Sequence, residues 1–180
     1  IAEHSSLIVS LGEWVLRDSL TALAQLHGLG FAALRVAVNV STVQLAQPNF
    51  LAIVDQALSD TGVAPRHLEL EITESVAALG IDQVARLVEA IRDRGIAVAL
   101  DDFGTGFSSL SYLDRLHVDR IKIDRSFVHT LDRTTDARIA ETVVPLGHRL
   151  GLTVLAEGVE TDAQLAALRA LDCDEIQGFL

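Results

Sequence analysis

Six polar residues occupy equivalent positions near the ends of short aliphatic runs, and their types suit chemistry at phosphorus. They are Asn39, Glu71, Asp101, Lys122, Glu157 and Gln177. Asn39, Glu71, Asp101 and the adjacent Asp102 offer only hard oxygen ligands, which favours Mg²⁺ or Mn²⁺ over zinc. The Asp101-Asp102 pair could hold two ions, an arrangement that stabilises attack and departure in phosphoryl displacement.

Lys122 and Glu157 extend this chemistry. Lys122 could reach a phosphate oxygen or a water, and Glu157 is a plausible partner for either. Two structural alternatives stay open, because Asp-Asp also starts ordinary loops and Lys122 could form a purely structural salt bridge. The segment 101–109 (DDFGTGFSS) is a glycine-containing loop that could bring backbone N–H groups near an anion.

Short strands are expected to position these residues. The strand candidates are rich in Val, Ile or Leu and are 35–41, 68–74, 96–102, 119–124, 153–157 and 174–178. Helical spacing appears between them in the sets Leu16, Leu20, Leu23; Val84, Leu87, Val88, Ile91; and Ile139, Val143, Leu146, Leu150. Gly62, Gly95 and Gly151 stand where helices should stop.

Side-chain alternation predicts where the polar residues point. In 68–74, the aliphatic set Leu68, Leu70 and Ile72 leaves Glu71 on the opposite face. The same parity holds in the other five strands, with Ile176 outward and Gln177 inward in the last. Burying several acids with one lysine is costly unless they neutralise one another or bind a cation. The pattern therefore indicates a functional site at the carboxyl ends of the strands.

Strands that alternate with helices at a pitch of about thirty residues indicate an α/β fold with a mainly parallel sheet. Eight such units need roughly 250 residues. The 180-residue chain is therefore expected to hold about six of the eight units of a TIM-like (β/α)8 barrel, with the first portion absent. An open doubly wound sheet is the competing architecture.

Composition narrows the function classes. The chain is 49% hydrophobic and carries 14 basic against 25 acidic residues, a net charge of -11. This composition favours one domain with a well-packed hydrophobic core. It disfavours non-specific electrostatic binding of DNA or RNA, which needs a basic face. No apolar run reaches the roughly 20 residues of a membrane span, so no direct membrane contact is expected.

In six stretches the chain resembles the EAL-type cyclic di-GMP phosphodiesterase domain of bacterial signalling proteins. The matching stretches are Val38–Ser41, Glu69–Glu74, Asp101–Gly106, Ile121–Asp124, Ala156–Glu160 and Gln177–Phe179. The resemblance covers essentially all 180 residues. It implies a barrel enzyme that uses metal ions to hydrolyse one phosphodiester of cyclic di-GMP, giving the linear dinucleotide pGpG and lowering messenger levels.

The resemblance also implies residue roles. Asn39, Glu71 and Asp101 resemble metal ligands, with Asp101 bridging two Mg²⁺ or Mn²⁺ ions and Asp102 serving the second. Lys122 resembles the residue that orients the attacking water, and Glu157 and Gln177 resemble its partners. Glu74 resembles the glutamate that anchors the loop after Asp102, although strand parity would place it outward. Supporting positions by the same resemblance are Asp124, Glu160 and Gly178.

One departure from the family pattern leaves an alternative open. The Glu-Ala-Leu motif that names the family is absent, as is the arginine that usually follows it. We expect a single domain over 1–180 that is truncated at the N-terminus and slightly at the C-terminus, and whose open strand edges make it behave poorly in isolation. The alternative is a catalytically inactive receptor or regulatory module for cyclic di-GMP. An unrelated metal-dependent lyase that uses Lys122 fits the composition but not the ordered motifs.

For partners, the resemblance implies cyclic di-GMP, a homodimer, and sensory or GGDEF-type domains in the parent chain. It also implies a cytoplasmic location, with a parent protein that could be anchored in a membrane.

Overall fold

The computed structural model describes residues 7–104, 110–129, 131 and 138–180. They fall into two compact units, one that ends at Val98 and one that begins at Ala99. Strands alternate with helices in both units, and every described strand pairing is parallel. The predicted α/β class is therefore confirmed.

In its described residues, the first unit contains one pair of strands and four α-helices, together with the start of a third strand. Its elements are α1 (Leu7–Gly28), β1 (Val36–Val40), α2 (Thr42–Leu45), α3 (Phe50–Thr61), β2 (Leu68–Thr73) and α4 (Ile81–Arg92), with 3-10 helices at Pro65–His67 and Glu74–Leu79. The pairing of β1 with β2 places Asn39 opposite Glu71. The two polar residues predicted for these strands thus lie side by side.

Apolar faces hold the helices of this unit against the strands. Leu16, Leu20 and Leu23 of α1 are buried, as their spacing predicted. In α4, Val84, Val88 and Ile91 are buried and Leu87 is half-buried. The aliphatic face of β2 is fully buried in the same core.

The second unit contains the other strands and α-helices. Its elements are β3 (Ala97–Phe103), which starts in the first unit, α5 (Leu110–Leu116), β4 (Arg120–Ile123), α6 (Arg125–Val128), α7 (Arg138–Arg149), β5 (Thr153–Val159), α8 (Asp162–Ala170) and β6 (Glu175–Gly178). The strand β4 pairs with β3 and β5, and β5 pairs with β6. All six predicted strands are present, with bounds that differ by one or two residues.

One helix packs differently from its predicted face. In α7, Val143 of the predicted set is buried, but Ile139 is 36% exposed, and the buried face also includes Ala140 and Val144. Gly147 continues that face, and a Cβ there would lie 2.5 Å from Val154 of β5. Small residues let this helix approach the sheet closely, so its contact face is set by size as well as by hydrophobicity.

The last strand departs from the expected burial as well. Ile176 of β6 was expected to meet covering helices, but it is 42% exposed. No helix of the described residues follows β6.

The predicted helix ends are confirmed, because Gly62, Gly95 and Gly151 all have left-handed φ values. Within the described ranges, no helix has the length and apolar character needed to cross a membrane.

Candidate active site

A buried lysine organises the polar cluster of the second unit. Lys122 is only 3% exposed. Its Nζ lies 3.1 Å from Asp101 Oδ1 and 2.7 Å from Glu157 Oε1. A buried ammonium is costly unless opposite charges and hydrogen bonds compensate it, and these two carboxylates supply both. Lys122 thus ties the ends of β3 and β5 to β4.

The two adjacent aspartates are brought together by an unusual backbone conformation. Asp101 Oδ1 accepts a second hydrogen bond, from the backbone N–H of Asp102 at 2.9 Å. Asp102 has a φ of 55°, a left-handed conformation that few residues other than Gly, Asn and Asp adopt. The β3–β4 register shifts between Leu100 and Phe103, around this residue. The usual alternation of side chains is therefore interrupted at the site.

Three carboxylates are close enough to share a cation. Ligand oxygens of Asp101, Asp102 and Glu157 all lie within 4.8 Å of one another. Oxygen ligands around Mg²⁺, at metal–oxygen distances of about 2.1 Å, lie up to about 4.2 Å apart. The all-oxygen donor set suits a hard divalent cation, and the Lys122 ammonium already contacts two of the three groups.

The first unit carries its own pair of predicted ligands. Asn39 Nδ2 donates to Glu71 Oε2 at 3.0 Å, between the paired positions of β1 and β2. This bond uses the amide nitrogen of Asn39, so the amide oxygen is the atom that could bind a cation. Glu71 is buried. A buried carboxylate fixed beside an amide is a suitable arrangement for an oxygen ligand set.

Glu74 corrects the parity argument. Strand alternation placed its side chain with the solvated or outward set, and the residue is buried rather than solvated. The reason is that β2 ends at Thr73 and Glu74 begins a 3-10 helix, so the two-residue period does not extend to it. Its buried position agrees with the resemblance. Its anchoring role remains a prediction.

Asp124 has a local structural task. It caps α6, accepting hydrogen bonds from the backbone N–H and the hydroxyl of Ser126. Burial opposes ionisation of this carboxylate, but the hydrogen bonds from Ser126 outweigh it and lower the pKa of Asp124. The helix that follows Lys122 therefore starts at an ionised residue.

The remaining predicted residues lie at the ends of β5 and β6. Pairing places Gln177 opposite Glu157 and Gly178 opposite Val159. A Cβ on Gly178 would lie 1.9 Å from the Val159 carbonyl oxygen, so only glycine allows this approach. Glu160 is exposed just beyond β5, and its backbone N–H donates to Gln164. Among the described contacts, none joins the Glu160 side chain to the cluster.

Most of the predicted anion loop lies outside the described residues, namely Thr105 to Ser109. Its start is described at Gly104, which has a φ of 97° and packs against the ring of Phe127 in α6. The short helix after Lys122 therefore contacts the end of β3.

Sequence reasoning missed a second polar layer. Three charged residues precede predicted site residues by two positions and so share their strand face: Glu69, Arg120 and Glu175. Glu69 is buried, and Arg120 pairs with Glu175 at 2.9 Å. The same parity rule could have found all three, but it was applied to one residue per strand.

The fold and the site define a class: a (β/α) domain whose strand ends carry an acidic cluster organised by a buried lysine. Comparison with known proteins identifies it further. The EAL domain family model matches residues 1–180, so the chain belongs to the EAL domain family. The predicted family and barrel fold class are confirmed.

Individual relatives agree with this assignment. The chain is 42% identical over 181 residues to the cyclic di-GMP phosphodiesterase NbdA of Pseudomonas aeruginosa, covering 100% of this chain and 23% of that protein. It superimposes on the PaMucR phosphodiesterase in its c-di-GMP complex with a TM-score of 0.95 and 42% identity, covering 99% of this chain and 73% of that one. For Klebsiella pneumoniae BlrP1 in a calcium and cyclic di-GMP complex, the TM-score is 0.80 at 31% identity, covering 91% and 42%. The chain thus spans about a quarter of the length of NbdA.

Proposed function

We propose that this chain is the catalytic part of a cyclic di-GMP phosphodiesterase, which hydrolyses one phosphodiester bond of the cyclic dinucleotide to give pGpG. The observation that carries the proposal is the contact of Lys122 with both Asp101 and Glu157 in the second unit. The phosphodiesterase names of its relatives support it.

The residues have distinct roles in this reaction. Lys122 donates to the attacking water and orients its oxygen toward phosphorus, while Glu157 accepts a proton from that water. A new P–O bond forms, the bond to the ribose oxygen breaks, and that oxygen leaves as a hydroxyl after taking a proton from solvent water. The products are one phosphate monoester end and one hydroxyl end. Burial of Lys122 and Asp101 strengthens these electrostatic contacts.

Following the family resemblance, we assign cation-ligand roles to Asn39 and Glu71 in the first unit and to Asp101 and Asp102 in the second, with two Mg²⁺ or Mn²⁺ ions as the proposed cofactors. Such ions, when bound, neutralise phosphate charge and make a water more acidic. The donor set consists of hard oxygens, and the BlrP1 complex contains calcium. A chain with a net charge of -11 would otherwise repel a dianionic dinucleotide.

The residues around this centre support the substrate. By resemblance to the glutamate that anchors this loop in the family, we assign an anchoring role to Glu74, and we assign Asp124 to fixing the start of α6 beside Lys122. Gln177 and Gly178 lie at the end of β6 and are assigned to substrate contact, with Glu160 at the rim. Their exposure suits residues that meet a ligand from solvent.

The proposed assembly follows the resemblance. A homodimer, a cytoplasmic location and attachment to sensory or GGDEF-type domains in the parent chain remain predictions.

The test is hydrolysis of cyclic di-GMP by the full-length protein with Mg²⁺ or Mn²⁺. We expect turnover in the natural protein, its loss in Lys122→Ala, and its retention in Arg94→Gln, which removes an ion pair to Asp55 on the surface of the first unit. Tight nucleotide binding without turnover in the natural protein would contradict the enzyme and establish a receptor instead.

A further inference from the structure

An ion pair lies in the layer beneath Lys122, inside the second unit. Arg120 precedes Lys122 by two residues in β4, so both side chains leave the same face of the strand. Its guanidinium lies 2.9 Å from Glu175 Oε1, and the Arg120 side chain is 12% exposed. The partner carboxylate belongs to β6.

This pair crosses an intervening strand. Arg120 is paired in register with Thr153 of β5, and Glu175 is paired with Leu155 of the same strand. The ion pair therefore joins β4 to β6 across the inward face of β5. It acts in addition to the backbone hydrogen bonds that each strand forms with β5.

Apart from its pairing with β5 and the hydrogen bonds of the preceding Asp174, the strand β6 has few side-chain attachments among the described residues. It is four residues long, its last three residues are exposed, and its register with β5 shifts between Glu157 and Val159. A short strand with exposed side chains gains little from burial, so side-chain contacts weigh more in fixing it. Its end carries Gln177, which faces Glu157.

We propose that Arg120 is a positioning residue: by holding Glu175 it fixes β6 and so sets the place of Gln177 and Gly178 beside Glu157. The two basic residues of β4 then hold different strands in place. Lys122 holds the ends of β3 and β5, where the chemistry occurs, and Arg120 holds β6, where substrate is contacted.

The kinetic consequence rests on the proposed function. Loosening β6 weakens contact with substrate but leaves Lys122, Asp101 and Glu157 in contact. The KM for cyclic di-GMP should therefore rise by roughly 5- to 30-fold, the effect of one or two kilocalories per mole, with kcat changed by less than about threefold.

A double-mutant cycle in the full-length protein tests this role. The variants are Arg120→Gln, Glu175→Gln and the two combined, with Arg94→Gln as a matched control that removes an arginine ion pair in the other unit. We expect each single variant to raise KM and to speed amide hydrogen exchange at 176–178, and the combined variant to be no worse than either single one. The reversed pair, Arg120→Glu with Glu175→Arg, should restore slow exchange and low KM.

Two results would overturn the proposal. One is additivity of the two single substitutions, which would show that the residues act separately. The other is a fall in kcat with unchanged KM and unchanged exchange at 176–178. The exchange cycle needs no turnover, so it decides the role of Arg120 even if the natural protein fails to hydrolyse the dinucleotide. Circular dichroism melts of every variant verify that the fold persists.

Discussion

The backbone N–H of Asp102 donates to the side chain of Asp101, its immediate neighbour, at 2.9 Å. Adjacent residues of a regular strand point to opposite faces. The left-handed φ of Asp102 breaks that rule, and both carboxylates reach the same cluster with Glu157. Local backbone strain of this kind costs roughly 1–3 kcal/mol and concentrates at functional sites.

Removing the charge of Asp102 should weaken cation binding without disturbing the turn. Asparagine tolerates the left-handed conformation, so Asp102→Asn keeps the backbone. We expect the Mn²⁺ concentration for half-maximal activity to rise by about tenfold, since one anionic ligand becomes neutral. Isothermal titration of the full-length protein with Mn²⁺ measures the same change directly. An unaltered Mn²⁺ affinity would exclude Asp102 from the ligand set.

Lys122 should affect turnover and cation binding in opposite directions. The Lys122→Ala variant removes the group that orients water, so we expect kcat to fall by about 100-fold or more. It also removes a positive charge from beside Asp101 and Glu157. Mn²⁺ affinity should therefore stay equal or increase.

The Lys122→Arg variant separates the effect of the charge of Lys122 from the effect of its shape. It keeps the charge but replaces a compact ammonium with a broad planar guanidinium, so turnover should stay low while Mn²⁺ affinity matches the natural protein. Full turnover in Lys122→Arg would mean that charge alone is required at this position. Loss of Mn²⁺ binding in Lys122→Ala would instead make the lysine a structural residue.

The sequence predicted the elements well because their periodicities are local. All six strands and the buried faces of α1 and α4 follow from the spacing of aliphatic residues. Errors arose where spacing is not the deciding factor. Ile139 is exposed because small residues of α7 approach the sheet, and Glu74 is buried because its strand has already ended.

The shared face of the lysine–carboxylate cluster was predictable from the sequence, but its contacts were not. Parity placed Lys122, Asp101 and Glu157 on inward faces, yet the left-handed turn at Asp102 has no signature in a run such as LDDFG. The Arg120–Glu175 pair joins positions 55 residues apart across an intervening strand. Such a contact depends on strand order and register, which one sequence does not specify.

A glycine beside Glu157 should prove essential for the close packing of α6. Gly158 has a φ of 71°, and an added Cβ would lie 2.6 Å from the Cβ of Arg125. Gly158→Ala must therefore shift α6 or the end of β5, and with it Glu157. We expect a loss of roughly 2–4 kcal/mol in the free energy of unfolding and a marked loss of turnover.

Gly151 supplies the matched control. Its φ is 73°, nearly equal to that of Gly158, but an added Cβ would meet no atom within 4 Å. Gly151→Ala carries the same backbone strain of about 1 kcal/mol without the clash. Equal destabilisation of the two variants, measured by urea unfolding, would show that contact with Arg125 is unimportant.

Asp174 should make stability depend on pH through one carboxylate. Burial opposes its ionisation, but hydrogen bonds from the Val154 backbone N–H at 2.8 Å and from His148 at 3.0 Å outweigh this and lower its pKa below 3.8. A carboxyl with a lowered folded-state pKa stabilises the fold above its unfolded pKa of about 3.9. That contribution disappears as pH falls through the folded-state value.

The charge-removing variant Asp174→Asn isolates this contribution. At pH 7 we expect it to lose at most about 1 kcal/mol, because solvent screens a side chain that is 40% exposed. The difference from the natural protein should begin to shrink as pH falls below the unfolded pKa of about 4, and should disappear only below the lowered folded-state pKa, where the natural carboxylate is also neutral. Asp172→Asn is the control, since this exposed neighbour forms no ion pair among the described residues and asparagine accepts its left-handed φ of 58°. Urea unfolding at pH 3 and pH 7 measures the free energy of unfolding of both variants and of the natural protein. If the loss of stability in Asp174→Asn were the same at both pH values, the lost interaction would not depend on the charge of Asp174.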